Sequence, residues 1–107
     1  MRWEISEQEK LVTIQVHGAL VSSEGREFRD EVLGKVVSGK DFVFQMEELE
    51  HIDTWGIGVL VQVQRKVESK GGQMWIAGLP EGPKILFEIT NAHHVFHFVP
   101  TGGSVSH

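Results

Sequence analysis

The sequence predicts an α/β fold: one mixed, mostly parallel β-sheet packed against helices, with elements in the order β-β-α-β-α-β-α-β. Three observations predict it. Residues 2–6 and 11–17 alternate in the strand manner and are joined by a short polar link, as in a hairpin. Residues 41–46 and 73–77 are nearly continuous apolar runs, the pattern of interior strands. Between and after these runs, residues 22–38, residues 54–70 and the stretch opening at Gly82-Pro83 carry helical periodicity. Strands that alternate with helices pair in parallel through right-handed crossovers.

Taken in order, Trp3 and Ile5 share one face of the first strand, and Val12, Ile14 and Val16 one face of the second. Their link, Glu7-Gln8-Glu9-Lys10, lacks the Asn-Gly signal of a tight hairpin and leaves the register open. Gly18 is expected to end the second strand. Ser22 or Ser23 then caps a helix whose stripe is Phe28, Val32 and Val36, flanked by Leu33 and Val37. Glu24, Arg26, Glu27, Arg29 and Asp30 face water, and Gly39 is a stop signal. The third strand is expected to be covered on both faces and followed by a short acidic link to Asp53-Thr54.

The second helix has an inner stripe of Ile57, Leu60, Val61 and Val67, widened by Val59 and Val63, and a wet face of Gln62, Arg65, Lys66 and Ser69. Gly71-Gly72 ends it. Proline near the first position opens the third helix, whose apolar side is Ile85, Leu86, Phe87 and Ile89. Residues 95–99 form the last strand, closed by Pro100. The expected organisation is one domain over residues 1–100 and a short polar tail over 101–107.

The 107 residues suffice to bury one core, and the net charge of −5 argues against nucleic acid, whose binding relies on neutralising phosphates with Lys and Arg. The absence of cysteine removes disulfides, thiolate metal sites and cysteine nucleophiles. No run of residues is long and apolar enough for a membrane span, and Met1-Arg2-Trp3-Glu4 does not begin a signal peptide, so a cytoplasmic protein is expected. His93-His94-x-x-His97 is dense, yet alternation along a strand does not bring these rings together, and they read as surface histidines with no metal. Gly56-x-Gly58 is no dinucleotide fingerprint, because Val61 stands where the third glycine belongs. With no P-loop, no G-x-S-x-G and no acid–base pair set by spacing, neither an enzyme nor a cofactor is expected.

The stretch around which the chain is organised is Asp53-Thr54-Trp55-Gly56-Ile57-Gly58. Asp and Thr are strong N-cap types. Two glycines in the first turns each cost about 1 kcal/mol relative to alanine, which points to close approach of the backbone to a strand, a ligand or a partner. A hydroxyl at a helix N-terminus is also a favourable place for a phosphate.

These residues resemble those of the STAS domain, found in bacterial anti-sigma factor antagonists and sulphate-transporter tails. The similarity spans nearly the whole chain. Its most specific part is Ile52-Asp53-Thr54-Trp55-Gly56-Ile57-Gly58-Val59-Leu60, supported by Gly18-Ala19-Leu20, Lys70-Gly71-Gly72, and Pro80 with Ile85, Leu86 and Phe87. The resemblance implies partner switching. An anti-sigma factor that is also a serine kinase would phosphorylate Thr54, the hydroxyl after the acidic Asp53. The implied partner surface is Asp53, Thr54, Trp55, Gly56, Gly58 and Gln62, and a homodimer is compatible with it.

This sequence departs from the family's pattern in three places. Trp55 stands where Ser, Ala or Thr is usual, and Val21 where many antagonists have Asp. Thr101 to His107 is too short and glycine-rich to be expected to form the last helix that commonly follows. The resemblance therefore also admits a phosphorylation-independent scaffold subunit, as in a stressosome-like or lipid-transport ATPase complex, or a nucleotide-sensing domain.

Overall fold

The chain opens on an antiparallel hairpin and continues through parallel strands. In the computed structural model, which describes residues 1–99, strands β1 (Arg2–Glu7) and β2 (Leu11–Leu20) pair antiparallel, with Ile5 opposite Ile14. Helix α1 (Arg26–Lys35) leads to β3 (Asp41–Ile52), α2 (Thr54–Ser69) to β4 (Met74–Ala77), and α3 (Glu81–Ile89), through a 3₁₀ turn at Ala92–His94, to β5 (His97–Val99). The sheet order is β1-β2-β3-β4-β5, and every pair after the first is parallel. This is the mixed, mostly parallel sheet and the β-β-α-β-α-β-α-β order that the sequence predicts. The tail expected over residues 101–107 lies outside the described residues. Among the described residues no helix is long and apolar enough to cross a membrane.

The core grows from one cross-strand row, Ile5–Ile14–Phe44–Ile76–Phe98. Its middle members, Ile14, Phe44 and Ile76, are fully buried, and each such side chain contributes about 1.5–3 kcal/mol by leaving water. Phe28 of α1 stands edge-on to Phe44 at 6.4 Å between centroids and to Trp3 at 5.4 Å. Phe87 of α3 meets Phe96 and Phe98 the same way, at 5.7 and 6.0 Å. The helices therefore share one face of the sheet. On the other face Thr13, Gln15, Gln45 and Trp75 are only half-buried, which corrects the expectation that β3 is covered on both sides. Val43 is buried there all the same, between Thr13 and Trp75 on the flanking strands.

Other element limits differ for identifiable reasons. Gly18 does not end β2: at φ +87 it lets the strand bend and continue to Leu20. β3 accordingly has a partner beyond Met46, and the acidic link is strand as far as Ile52, with register shifts that bury Leu49 while Glu47, Glu48 and Glu50 face water. Neither Ser22 nor Ser23 caps α1. A turn closed by the Glu24 and Gly25 amides donating to the Val21 carbonyl occupies that stretch, and Gly25 is the N-cap.

The end of α1 is also earlier than predicted. The chain is extended again at Val36, whose side chain is buried, and Lys35 donates to Glu7 at 2.9 Å. That hydrogen bond and the lysine's charge hold the Glu7 carboxyl below its ordinary range. α3 starts at Glu81, with Pro83 two residues inside and buried, and its outward side chains Ile85 and Ile89 are 53% and 73% exposed. The expected apolar side of that helix thus reduces to Phe87 and half-buried Leu86. β5 is shortened to three residues because the 3₁₀ turn takes up the preceding chain.

Candidate functional site

Asp53 is the N-cap of α2, in extended conformation. Its Oδ1 accepts from the Gly56 amide at 2.8 Å, the N3 contact that satisfies one free amide of the first turn. Its Oδ2 accepts from the Ser22 amide at 3.2 Å, and its own amide donates to the Leu20 carbonyl at 3.4 Å. One carboxylate therefore ties the start of α2 to the chain leaving β2.

Gly56 explains why that tie can be so short. A Cβ built on it would lie 2.2 Å from the Leu20 carbonyl oxygen and 2.8 Å from Ile52 Cγ1, so the helix rests directly on the ends of β2 and β3. Gly58, two residues on, is different. It is exposed, and a Cβ there would meet nothing within 4 Å. The expectation of close approach holds inside the chain for Gly56 only.

Thr54 is the first residue of the helix and is exposed. The neighbouring indole does not cover it. Trp55 is half-buried and turns towards α1, where a Cβ on Gly25 would come within 2.5 Å of its ring and the Arg29 guanidinium lies 5.8 Å from the ring centroid. Gln62 is exposed. Thr54, Gly58 and Gln62 are spaced by four and form one outward line, while Val59, Leu60, Val63 and Val67 are buried beneath. Of the six residues predicted from sequence, Thr54, Gly58 and Gln62 present a surface, Asp53 and Gly56 build the mouth of the helix, and Trp55 does part of each.

Sequence reasoning missed the other half of this construction. The Ser22 amide, the Leu20 carbonyl and Gly25 come from the turn after β2, which reads as a helix cap because serines stand there. It also missed Gln64, 5% exposed, whose Nε2 donates to the Val95 carbonyl at 2.6 Å and ties α2 to the chain before β5. A signal was present: Gln64 falls on the same inner stripe as Leu60 and Val67.

His17, His93 and His94 find their partners outside the site. His17 Nδ1 lies 3.4 Å from Arg2 and Nε2 3.0 Å from Glu4. A guanidinium only donates, so Nδ1 accepts and Nε2 carries the proton given to Glu4. His93 and His94 stack at 3.9 Å. Among the described residues no three His, Asp or Glu side chains converge as a metal set.

Comparison with known proteins places this geometry. Residues 2–105 match the model of the STAS domain. A Thermotoga maritima protein, crystallised as a candidate anti-sigma factor antagonist, superposes with a TM-score of 0.81 at 17% identity, over 97% of this chain and 88% of its own. The Bacillus cell fate determinant SpoIIAA in its phosphorylated form gives 0.71 at 14% identity, over 92% and 91%. The murine anion transporter Slc26a9 gives 0.69 at 17% identity, over 90% of this chain but only 17% of the transporter. A search of curated protein sequences returned no match.

Proposed function

The chain belongs to the STAS domain family, and from that premise we propose that it is an anti-sigma factor antagonist-like regulator that works by partner switching. In this reading it binds an anti-sigma factor that is also a serine kinase, through the mouth and outward line of α2, and phosphorylation of Thr54 breaks the complex. The observation that carries the reading is an exposed Thr54 at the first position of α2, directly after a carboxylate already engaged by two amides.

The physical consequence follows from where the charge goes. A phosphate of about −1.5 to −2 at a helix N-terminus meets the positive end of the helix dipole. Asp53 remains held by Ser22 and Gly56, so the domain has no need to refold. A partner lying across Thr54, Gly58 and Gln62 meets new bulk and new charge on a surface it had fitted.

The test is incubation with ATP and the cognate kinase, followed by mass spectrometry and a binding measurement. Phosphate on Thr54, and loss of partner binding by Thr54→Asp, are the expected results. An unmodified Thr54 together with undiminished binding by Thr54→Asp removes the switch.

A second reading is favoured by the recurrence of this fold as a small part of an anion transporter. In it the domain is a phosphorylation-independent scaffold subunit of a larger assembly. Assembly that survives Thr54→Ala but is lost on Trp55→Ala, in a variant shown to remain folded, selects this reading over the switch.

A further inference from the structure

The two edges of the sheet are built differently. β5 offers three residues and β1 six, and among the described residues β1 has a strand partner on one side only. Which backbone groups β1 leaves free follows from its turn. The Gln8 amide donates to the Leu11 carbonyl at 2.8 Å, so Gln8 and Leu11 are a hydrogen-bonded pair that continues the register of Glu7 with Val12. Bonded and non-bonded pairs alternate along an antiparallel ladder. Ser6, Glu4 and Arg2 therefore bond inward to β2, and the amides and carbonyls of Trp3, Ile5 and Glu7 point outward.

A row of free amides and carbonyls is a template for another strand, and proteins that keep such an edge single break it with a proline, a bulge or a lysine. β1 carries none of these. Its register against β2 runs without a shift from Arg2 to Glu7, and neither proline nor lysine falls between them. The apolar face is also unfinished there. Ile5, at the end of the core row, is only half-buried, and so is Trp3.

We infer that the outer edge of β1 pairs antiparallel with the same edge of a second copy, joining two five-stranded sheets into one about a two-fold axis. The free groups select the register. An axis at Ile5 sets Ile5 opposite its own copy and Trp3 opposite Glu7, and engages the whole outward row in about six hydrogen bonds. An axis at any other residue of β1 leaves part of that row unpaired. At Glu4 it would also set like charges directly opposite, which is unfavourable. With the axis at Ile5 the core row runs on from one molecule into the next.

The charges agree with this register. Trp3 Nε1 donates to Glu31 at 3.1 Å, and Glu7 accepts from Lys35 at 2.9 Å. Turning a second copy about Ile5 brings Glu31 of each to the end where the other holds Lys35. The edge is balanced as a whole, with Arg2, Lys35 and Lys40 against Glu4, Glu7 and Glu31. The net charge of −5 is therefore carried elsewhere, and the two edges do not repel. A strand from another protein would find the same free groups, but this end-to-end reversal of charge is what a second copy supplies.

The experiment uses the full chain, sedimentation over a range of concentrations, and hydrogen exchange read by NMR. A dimer is expected, with the amides of Trp3, Ile5 and Glu7 exchanging about tenfold or more slowly where it forms. Side chains test the register. Ser6 is exposed and stands opposite Glu4 of the second copy, itself exposed. Ser6→Glu creates two like-charge pairs in each dimer and is expected to weaken association about tenfold. Glu4→Lys combined with Ser6→Glu should restore it. Thermal melting establishes that each variant is folded.

A chain that stays monomeric overturns the inference. So does a dimer indifferent to Ser6→Glu, one that the charge exchange fails to restore, or one that leaves those three amides exchanging as in the monomer. Thr54→Asp should leave the dimer intact, because Thr54 follows β3 and not the outer strand. Dispersal by Thr54→Asp would place the contact at the mouth of α2 and overturn the assignment to β1.

Discussion

Gly56 and Gly58 sit two residues apart in the first turns of the same helix, and they are there for different reasons. At Gly56 the fold leaves no alternative: a single added carbon would stand 2.2 Å from a backbone carbonyl. At Gly58 the fold makes no demand, since the same carbon would point into open space. A helix is weakened by both, but only one weakening is explained by packing within the chain. The difference separates residues that assemble the mouth of α2 from residues that present it. Asp53 and Gly56 belong to the first group, Thr54, Gly58 and Gln62 to the second, and mutation can test the division position by position.

The largest effect is expected at Gly56. Gly56→Ala must push α2 off the ends of β2 and β3, because the added carbon would stand 2.2 Å from the Leu20 carbonyl oxygen, which is backbone and not a side chain free to rotate. Overpacking of this kind costs about 1–3 kcal/mol and occasionally more, and a clash with backbone belongs at the top of that range. Urea unfolding measures it. A loss below about 1 kcal/mol would mean the close approach does not hold the helix in place, and the contrast with Gly58 would collapse. Asp53→Ala comes next, with an expected loss of about 1–2 kcal/mol for a capping residue that also ties in the Ser22 amide. Asp53→Asn, which keeps an acceptor for Gly56, should lose less in the same measurement.

How much of this division was legible in the sequence depends on which interactions are local. That α2 is capped within Asp53-Thr54 follows from side-chain chemistry within four positions, and the structure gives the cap to Asp53 and the first helical position to Thr54. The element order and the mostly parallel sheet likewise follow from periodicity and from the alternation of strands with helices. The Ser22 amide and the Leu20 carbonyl were not legible, because they reach the site across 31 and 33 residues through pairing of β2 with β3.

The same pairing explains the missed end of β3. Glu47, Glu48 and Glu50 look like a linker by composition, yet a parallel neighbour running beside them makes them strand. The outward set of Ile85 and Ile89 on α3 was misread for a related reason. An apolar residue on a short helix looks like core until the position of Phe87 shows which way the helix faces.

Gly58→Ala is expected to move stability the other way, upward by as much as about 1 kcal/mol, since alanine restores helix propensity and meets no obstacle. Paired with a binding measurement it sharpens the comparison further. A more stable protein that binds its partner less well identifies Gly58 as a place where the partner's own backbone comes close. A more stable protein that binds equally well leaves that glycine without a role at the surface.

The smallest effect is expected at Thr54, and its smallness is the point. An exposed side chain at the first helical position, beside a cap that does its work through Asp53, should change unfolding free energy by no more than about 0.5 kcal/mol on substitution with alanine. Thr54→Asp should be similarly mild, because the added charge at the helix N-terminus gains a few tenths from the dipole and gives some back against Asp53. A residue that is silent in unfolding and decisive in partner binding is what a switch requires. Should Thr54→Ala instead cost more than Asp53→Ala, the hydroxyl would be part of the scaffold, and Thr54 would have to be moved from the presenting group to the building one.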